Sequence, residues 1–494
     1  MKLLVLPGDG IGPEITAATL DVLTAADERC GLGLEFETRD IGWASLATAG
    51  TTLPQAVVER VPQVDGVLLG PVSHYEYPGR AEGGVNPSAE LRTVFELFAN
   101  VRPCRSRPGL SVLRHPMDLV IVRENTEGFY SDRNMHAGTG EFMPDPDLAI
   151  SLRKISARSC ERVARKAFEL ARGRRGKVTA VHKANVVKLS DGLFLREVRR
   201  VAADFPDVEL EELIVDAAAA LLVRRPQAFD VVVTTNMFGD ILSDEASELS
   251  GGLGLGGSIN EGHDVCVAQA QHGSAPDIAG RGVANPTSLI LSAAMLLDWR
   301  GRRDGEPALV AAAKAITRAV DAALDDPATR TRDLGGTLGT AAFADAVRRH
   351  LAQPGGPGRG RFPSSVLRPA ELTAFSRGGG ARTVPLVTRA RGAAVFLSGQ
   401  TLFEGGAGIP LHVHNCPESV VVLEGDAVAE IDGREHALTT FDTTYVDAGV
   451  PHRFRNASDT APMRILWTYA SVDATRTLVG TGVTTRVDAE HETA

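Results

Sequence analysis

The 494-residue sequence has few cysteines, no long apolar run and no cluster of basic residues. Its five cysteines are odd in number and form no Cys-x-x-Cys pair: Cys30, Cys104, Cys160, Cys266 and Cys416. This pattern suits free thiols in a reducing cytoplasm better than a disulfide framework. Because Pro7 and Gly8 interrupt the apolar opening, we expect a buried strand there, not a signal peptide or a membrane span.

The charge balance argues against nucleic acid as a partner, because the net charge is −10 and no stretch is strongly basic. A composition of 43% hydrophobic and 23% charged residues is typical of a soluble globular protein. The chain is too long for one ordinary core, which predicts two or three domains.

One stretch organises the chain, Val231 to Gly254, with the sequence VVVTTNMFGDILSDEASELSGGLG. It predicts a buried strand, a turn and then a helix. Asp240 and Asp244 are four residues apart, so on a helix they project from the same face. Two such carboxylates can share a hard divalent cation, Mg²⁺ or Mn²⁺, which takes oxygen ligands. The alternative is an exposed acidic helix start.

A change of pattern divides the chain after residue 352. Residues 353–365 are rich in Pro, Gly, Ser and Arg, which predicts a flexible linker. Short alternating runs separated by turns follow over residues 366–480 and predict a small β-barrel or sandwich. Residues 481–494 are interpreted as a tail, and residues 1–352 as the larger domain.

The β-rich region carries its own candidate metal ligands. His412 and His414 are two residues apart, so on a strand both side chains point to one face; Glu418 and His452 follow. Imidazoles with one carboxylate suit Fe, Mn, Ni, Cu or Zn, and the residues do not choose among these metals. The alternative is a pair of incidental strand histidines.

Both regions contain motifs of known families. Six motifs occur in order before residue 352: LLVLPGDGIGPEI, ELFANVRP, VRENTEGFY, VHKANVVKLSDGLF, TTNMFGDILSD and HGSAPDIAGRGVANP. They resemble the β-decarboxylating dehydrogenases, the isocitrate, homoisocitrate and isopropylmalate dehydrogenase family. The spacing G-x5-H-x-H-x3-E-x6-G resembles the first cupin motif, whereas Phe441 and Asp447 depart from the second. The resemblance implies a bilobal α/β fold with a mixed sheet, followed by an all-β cupin barrel.

The resemblance implies NAD- and divalent-metal-dependent oxidative decarboxylation of a 3-carboxy-2-hydroxy acid. Arg92, Arg102 and Arg123 are expected ahead of a helix, after it and at a strand end. There they would bind the carboxylates of a di- or tricarboxylate, because guanidinium groups pair bidentately with carboxylates. Ser88 belongs to the loop that meets the third substituent, and with Asn86 it favours a polar substituent over an isopropyl group.

Proton transfer and metal binding are implied at further matched positions. Lys183 would relay the hydroxyl proton, and Tyr130 would protonate the enol. Asp216 lies in the apolar segment ELEELIVDAAAALLV, where a lone carboxylate is costly to bury. In the family this position joins Asp240 and Asp244 as a metal ligand donated across a homodimer interface.

The cofactor residues implied by the family lie in two loops: Gly10, Ile11 and Glu14, and then His272, Gly273, Asp277, Ile278 and Asn285. The first loop reads GxGxG followed by Pro13, so it is not the Rossmann fingerprint. Asp277 suits a free ribose 2′-hydroxyl, and NADP-preferring members have Lys and Tyr where this chain has Asp277 and Ile278. NAD is therefore favoured. Residues 268–271 read AQAQ where the family has a glutamate and a proline.

The sequence is also compatible with two other functions. In one, the cupin is a separate isomerase or dioxygenase acting on the dehydrogenase's product. In the other, the dehydrogenase-like domain has lost turnover and serves as a binding module. The first predicts turnover by residues 366–480 alone, and the second predicts binding of NAD or substrate without reduction.

Overall fold

The computed structural model describes residues 1–113, 115–130, 135, 139–352, 366–391, 393 and 395–487. The chain divides into two compact units, Met1–Gly356 and Pro357–Ala494. The predicted linker, residues 353–365, lies outside the described residues. Within the described ranges, no helix combines the length and the apolar character that a membrane span requires.

The first unit alternates strands and helices. The strands are β1 (Lys2–Leu6), β2 (Glu35–Thr38), β3 (Gly66–Leu69), β4 (Ala99–Arg105), β5 (Asp118–Glu124), β6 (Glu141–Asp145), β7 (Leu148–Ser151), β8 (Lys177–His182), β9 (Glu209–Ile214), β10 (Val231–Thr234), β11 (Ile259–Glu261) and β12 (Cys266–Gln269). The helices are α1 (Gly12–Cys30), α2 (Gly42–Ala49), α3 (Gln55–Arg60), α4 (Pro87–Val94), α5 (Ala157–Arg172), α6 (Ser190–Ala202), α7 (Val215–Arg224), α8 (Asn236–Ser250), α9 (Thr287–Asp304), α10 (Pro307–Asp325) and α11 (Thr340–Ala352).

Ten of these strands form one mixed sheet in the order β2-β1-β3-β12-β11-β4-β5-β10-β8-β9. Neighbours are parallel towards both edges and antiparallel between β12 and β5. All four residues of β10 are buried, as expected for an apolar parallel strand with helices on both faces of the sheet. The adjacent strands β4, β5 and β10 carry, or lead directly into, several of the candidate active-site residues.

The opening of the chain forms the predicted strand, glycine turn and helix. Pro13 lies in the first turn of α1, where a missing backbone N–H costs nothing, and Gly31 ends the helix with φ of +64°. In contrast, β6 and β7 form a separate two-stranded sheet whose residues are all exposed. That sheet presents apolar side chains to solvent, among them Phe142, Met143 and Leu148.

The second unit is all β. Its strands are β13 (Phe375–Gly378), β14 (Ala381–Val387), β15 (Leu397–Phe403), β16 (His412–His414), β17 (Glu418–Glu424), β18 (Ala427–Ile431), β19 (Arg434–Leu438), β20 (Thr443–Val446), β21 (His452–Asn456), β22 (Met463–Tyr469), β23 (Thr475–Leu478) and β24 (Thr484–Arg486). They form two six-stranded antiparallel sheets, β13-β14-β15-β22-β17-β20 and β19-β18-β21-β16-β23-β24. Buried side chains such as Phe403, Phe454 and Trp467 form the core of this unit.

One of the two sheets of the second unit, the sheet that contains β16, extends beyond residue 480. Strand β24 pairs with β23, and the neighbouring Val487 is buried. This strand therefore lies within the range interpreted from the sequence as a tail. A three-residue run of threonine and arginine carries too little apolar alternation to predict a strand, so tertiary pairing decides its structure.

Candidate active site and metal centre

Asp240 and Asp244 lie on one side of α8, one turn apart, as their spacing predicts. Both approach the same guanidinium group: Nη1 of Arg102 is 3.0 Å from Oδ1 of Asp244 and 3.5 Å from Oδ1 of Asp240. The two carboxylates remain partly accessible to solvent. They form an all-oxygen donor pair, which fits the hard cations Mg²⁺ and Mn²⁺.

Arg123 brings the end of β5 against the start of α8. Its Nε and Nη2 atoms donate hydrogen bonds to Oδ1 of Asn236, at 2.9 and 2.6 Å, and Nη1 donates to Asp240. The helix can approach this closely because residue 239 is glycine: a Cβ there would lie 2.6 Å from Cβ and Cγ of Arg123. The NMFGD sequence thus places Asp240 beside the buried arginine.

Arg92 is the third member of the arginine set. It lies within α4, so the prediction that it comes ahead of a helix is wrong. The helix begins earlier, at Pro87, because proline is favoured in the first turn. Arg102 lies on β4 and Arg123 on β5. Three elements distant in sequence therefore bring positive charge to Asp240.

The arginines set the charge states of the two aspartates. Burial raises the pKa of Asp240, but the charges of Arg123, Arg102 and Arg92 outweigh burial, so the pKa lies below its ordinary value. For Asp244, burial and the neighbouring Asp240 outweigh the charge of Arg102, so the pKa is raised. The surroundings therefore shift the pKa values of the two carboxylates in opposite directions.

Tyr130 joins this group through its hydroxyl, which donates a hydrogen bond to Oδ2 of Asp240 at 3.2 Å. The guanidinium carbon of Arg123 lies 5.6 Å from the centre of the tyrosine ring. The hydroxyl therefore lies beside the carboxylate, and the ring lies close to one positive charge. This is a setting in which a phenol can take part in proton transfer.

Lys183 and Asp216 form a second group, an ion pair between the Lys183 Nζ atom and Oδ1 of Asp216. The side chain of Asp216 is 68% exposed, so the expected cost of burying this carboxylate does not arise within one chain. Strand β9 ends at Ile214, and Asp216 falls in the first turn of α7, where a negative charge is favourable. In the described residues of one chain, Asp216 does not cluster with Asp240 and Asp244.

A buried aspartate that sequence reasoning missed holds the backbone at Lys183. Asp191, fully buried at the start of α6, accepts a hydrogen bond from the backbone N–H of Lys183 at 2.5 Å. Its other oxygen accepts from Arg153, whose Nη2 donates to Oγ1 of Thr235 at 2.9 Å. The signal was present, because Asp191 lies eight residues after the lysine in the same motif, VHKANVVKLSDGLF.

The AQAQ run also makes contacts that sequence reasoning did not predict. The Ser88 hydroxyl donates a hydrogen bond to Oε1 of Gln269 at 2.9 Å, and Nδ2 of Asn260 is 3.4 Å from the same oxygen. The Ser247 hydroxyl donates to Oε1 of Gln271 at 2.9 Å. The departure from the family pattern therefore adjoins the loop expected to meet the substrate.

The two predicted cofactor loops lie against each other. The backbone N–H of Ile11, which follows Gly10, donates to the carbonyl of Ser274 at 2.8 Å. The Glu14 carboxylate accepts hydrogen bonds from the backbone N–H groups of Gly282 and Ala284, at 3.1 and 3.2 Å. Residues from both ends of the unit thus form one surface.

Within the second loop, His272 follows Gln271 and precedes Gly273, and its Nε2 atom is buried with no hydrogen-bond partner among the described residues. Burial lowers the pKa of His272, so the neutral ring is favoured. Such an orphaned polar atom fits a site completed by a bound cofactor. Asp277 is exposed, Ile278 packs against the main core, and Nδ2 of Asn285 donates to Asp333 at 2.9 Å.

The second unit brings His412, His414, Glu418 and His452 together. One potential ligand atom from each lies within 4.8 Å of all the others, and all four side chains are buried. A search of the described residues for three or more His, Cys, Asp or Glu side chains close enough to share a metal ion gives this group. The predicted placement of both histidines of β16 on one face is what the structure shows.

Backbone carbonyls orient the three imidazoles. Each Nδ1 atom faces a carbonyl oxygen: His412 faces Pro410 at 2.7 Å, His414 faces Thr475 at 2.8 Å, and His452 faces Val450 at 2.8 Å. A proton on Nδ1 satisfies these bonds and leaves Nε2 of His412 and His414 as an acceptor for a metal, whereas Nε2 of His452 donates to Oε2 of Glu418 at 2.7 Å and would have to lose that proton to bind one. Nε2 of His414 is buried without a hydrogen-bond partner among the described residues, which fits a missing ligand contact.

The pKa shifts in this cluster have identifiable causes. Burial, followed by the charges of His452, His414 and Arg476, lowers the pKa of His412 to about 2. Burial also lowers the pKa of His414. The pKa of His452 is raised despite its burial, because Nε2 lies 2.7 Å from Oε2 of Glu418. Imidazoles that stay neutral are the ligands that divalent transition metals use.

Comparison with known proteins agrees with this architecture. The model of the isocitrate/isopropylmalate dehydrogenase family matches residues 2–347, and the cupin domain model matches residues 400–469. The chain is 44% identical over 348 residues to an isocitrate/homoisocitrate dehydrogenase of Thermus thermophilus, covering 70% of this chain and 97% of that protein. It is 41% identical over 353 residues to a 3-isopropylmalate dehydrogenase of Methanothermobacter thermautotrophicus, covering 71% and 98%.

Solved structures show the same relationship. A crystal structure of isocitrate dehydrogenase from Methylococcus capsulatus is 39% identical, with a TM-score of 0.63, and covers 71% of this chain and 99% of that one. The TT0538 protein from Thermus thermophilus is 28% identical, with a TM-score of 0.64, and covers 98% of this chain and 95% of that one.

The mixed sheet and the match to the family model over residues 2–347 identify the first unit as a decarboxylating dehydrogenase. The chain belongs to the isocitrate/isopropylmalate dehydrogenase family, and it carries a C-terminal cupin domain. The predicted fold class and the predicted enzyme class are thereby confirmed.

Proposed function

We propose that the enzyme oxidatively decarboxylates a 3-carboxy-2-hydroxy acid with a polar third substituent, using NAD and Mg²⁺ or Mn²⁺. The observation that carries this proposal is the convergence of Arg92, Arg102 and Arg123 on the carboxylates of α8. Buried positive charges beside an all-oxygen donor pair suit an acid that is both anionic and able to chelate a cation.

Some residues of the proposed site bind the substrate, and others transfer protons. The three arginines bind the substrate carboxylates, and Lys183 accepts the proton of the 2-hydroxyl group. Tyr130 donates a proton to the carbon that loses CO₂, since its hydroxyl already lies beside Asp240. When bound, NAD accepts the hydride from C2 and the divalent cation acts as a Lewis acid at the neighbouring oxygens.

The third substituent of the substrate meets a polar surface in this proposal. The Ser88 hydroxyl and the Gln269 amide lie side by side where an isopropyl group would require apolar contacts. This polar pair disfavours an apolar substituent, because the hydrogen-bonding atoms that the Ser88–Gln269 bond does not use would be shielded from water without a partner. Isocitrate or homoisocitrate is therefore preferred to isopropylmalate. The names of the relatives include all three acids.

A homodimer completes the active site in this proposal. Asp216 of one subunit joins Asp240 and Asp244 of the other subunit. Lys183, which forms an ion pair with Asp216, enters the same site from the same subunit as Asp216. The support is that the pair lies on an accessible surface with apolar neighbours, Val186 at 65% and Leu189 at 91% exposure. The exposed apolar side chains of β6 and β7 provide a further surface for a second copy of the chain.

NAD is the proposed cofactor because Asp277 is exposed on the second loop, where it would meet the adenosine ribose. A carboxylate there pairs with a ribose 2′-hydroxyl and repels a 2′-phosphate. In the cupin domain, His412, His414, Glu418 and His452 are proposed to hold one Fe, Mn, Ni, Cu or Zn ion. The mixed nitrogen and oxygen donor set excludes none of these metals.

The test is NAD⁺ reduction by the full-length enzyme with Mn²⁺ and a panel of acids: isocitrate, homoisocitrate, isopropylmalate, D-malate and tartrate. The proposal expects turnover of isocitrate or homoisocitrate that stops when the cation is chelated. Preference for isopropylmalate would contradict the polar-substituent assignment alone. Failure of every acid, with NAD still binding, would contradict the proposed reaction.

A further inference from the structure

Lys183 lies at the start of an exposed loop that follows β8. Val186 and Leu189 of this loop are 65% and 91% exposed. The backbone N–H groups of Val186 and Val187 donate to the carbonyl of Lys183, both at 3.0 Å, so these bonds lie within the loop. Asp216, the ion-pair partner of Lys183, is also exposed, and exposed ion pairs hold a side chain weakly. The position of Lys183 therefore depends on contacts between the loop and the rest of the unit.

Asp191 makes such a contact at the far end of the loop. Its side chain is fully buried in the first turn of α6. Oδ2 accepts a hydrogen bond from the backbone N–H of Lys183 at 2.5 Å, and Oδ1 accepts one from Nη1 of Arg153. The two oxygens of one buried carboxylate thus bind two different segments, and charge-assisted hydrogen bonds of this kind are the stronger ones. Asp191 therefore closes the loop onto α6.

Arg153 connects Asp191 to α8. Its Nη2 atom donates a hydrogen bond at 2.9 Å to Oγ1 of Thr235, the buried N-cap residue of α8. Its guanidinium carbon lies 5.2 Å from the ring centre of Phe238 on α8 and 6.0 Å from that of Phe129. The arginine side chain is only 10% exposed, so these contacts hold it in one place. A continuous series of hydrogen bonds thus runs from the backbone of the lysine to the start of α8.

The burial of Arg153 and Asp191 indicates a role in geometry more than in stability. Taking two charges out of water costs free energy that offsets their attraction, so a buried ion pair does little for stability by itself. It does exclude other arrangements, because separating the two side chains would leave a charge buried without a partner. A proton acceptor needs this restriction: it acts only within hydrogen-bond reach of the proton, and a displacement of about 1 Å can cost about 10²-fold in rate.

We propose that Arg153 and Asp191 are positioning residues for Lys183, and that they fix the loop after β8 so that the lysine amine can accept the proton of the substrate's 2-hydroxyl group. This inference rests on the proposed role of Lys183. Both residues act through the lysine. Their loss should therefore slow the step in which the hydroxyl is oxidised and leave substrate binding in place.

The experiment measures one turnover of full-length enzyme, with the enzyme in excess over the acid that the parent oxidises and with NAD⁺ and Mn²⁺ saturating. The rate constant of NADH formation then reports the oxidation step. A moderate loss of folded enzyme does not change this rate constant, because the active enzyme remains in excess. Thermal unfolding and steady-state KM are measured beside it, so that damage to the fold or to substrate binding is seen separately.

Two changes remove the connection, and a third is the control. Arg153→Met is combined with Asp191→Asn, so that no unpaired charge is left buried. Thr235→Val is milder, because it removes the oxygen that accepts from Nη2 of Arg153 and keeps the shape of the side chain. The matched control is Arg162→Met on α5. Its side chain is 12% exposed, and its guanidinium carbon lies 4.9 Å from a phenylalanine ring centre.

We expect the rate constant to fall about 10²-fold in the double variant and at least about five-fold in Thr235→Val, with KM for the acid within about three-fold. Arg162→Met should match the parent. A double variant within about three-fold of the parent, while Lys183→Met is inactive, would overturn the inference and leave the proposed reaction intact.

The remaining outcomes also decide the inference. If the double variant does not fold, a parental rate in Thr235→Val overturns the inference. An equal fall in Arg162→Met would show a general effect of losing a buried arginine, and it would overturn the inference as well. Turnover by Lys183→Met would overturn the proposed role of the lysine, and the inference with it.

Discussion

The Ser88 hydroxyl and the Gln269 side-chain carbonyl, 181 residues apart in the chain, are joined by a hydrogen bond of 2.9 Å. Ser88 lies in the first turn of α4, and Gln269 is the last residue of β12. Ser88 is buried and Gln269 is half-buried, and the bond fixes the serine hydroxyl in one orientation. The contact places a residue of the AQAQ run in direct support of the proposed substrate pocket.

Removing the Gln269 carbonyl should weaken substrate binding more than catalysis. In Gln269→Ala, the Ser88 hydroxyl loses its acceptor, at a cost of about 1–2 kcal/mol, so KM should rise about five- to thirty-fold with kcat within about three-fold. Steady-state kinetics on the preferred acid checks this. Because both residues form one contact, Ser88→Ala combined with Gln269→Ala should be less than additive. An unchanged KM in Gln269→Ala would remove the residue from the site.

Lys183→Met should abolish turnover while sparing the fold. The side chain is of similar length but carries no proton-accepting nitrogen, and general acid–base groups contribute about 10²–10⁴ in rate. The matched control is Lys314→Met, an exposed lysine of α10, which should retain parental activity. Turnover of Lys183→Met within ten-fold of the parent would show that another group accepts the hydroxyl proton.

Asp277→Lys combined with Ile278→Tyr should move cofactor preference from NAD towards NADP. The lysine replaces a repulsive charge next to a 2′-phosphate with an attractive one, and each change in charge pairing at an exposed site is worth about 1 kcal/mol. We expect the ratio of kcat/KM for the two cofactors to shift by about ten-fold or more. No change in this ratio would place the adenosine ribose elsewhere.

Two glycines in helices provide a matched test of packing at the substrate arginines. Gly239→Ala places a methyl group 2.6 Å from the side chain of Arg123, whereas a Cβ at Gly192 meets no atom within 4 Å. Gly239→Ala should therefore lower the free energy of unfolding by about 1–3 kcal/mol and displace Arg123. Gly192→Ala should leave the free energy of unfolding unchanged or raise it by about 0.5–1 kcal/mol. Thermal unfolding of both variants measures the change in stability, and KM of Gly239→Ala reports the displacement of Arg123. Equal stability of the two variants would contradict the prediction.

Glu418→Gln should remove the metal proposed for the cupin without stopping the dehydrogenase. The change deletes a charged ligand and breaks its bond with His452, so metal analysis should show about one equivalent less per chain. NADH formation should stay within about two-fold, because the proposed dehydrogenase ligands lie in the first unit. Glu435→Gln, at an exposed position of β19, is the control. Equal metal content in Glu418→Gln and Glu435→Gln would refute the cupin site.

Local patterns in the sequence predicted the elements and several juxtapositions. The spacing of Asp240 and Asp244 placed both on one side of α8, and the spacing of His412 and His414 placed both on one face of β16. Such predictions succeed because helix and strand periodicity determine where nearby side chains point.

Contacts between distant segments were not predictable in the same way. The bond between Ser88 and Gln269 depends on β12 returning to the sheet beside β3, which no local periodicity encodes. The exposure of Asp216 depends on where β9 ends, and the apolar sequence around it suggested burial instead. Strand β24 exists because β23 is available for pairing.

We propose that oxidation and decarboxylation occur together at the site formed by the arginines, Tyr130 and Lys183. The most direct measurement is the release of labelled CO₂ from the substrate's 3-carboxylate, recorded with NADH formation in the same reaction with Mn²⁺. We expect one CO₂ per NADH from the parent enzyme and neither product from Lys183→Met. NADH without CO₂, or equal amounts of both products in Lys183→Met, would contradict it.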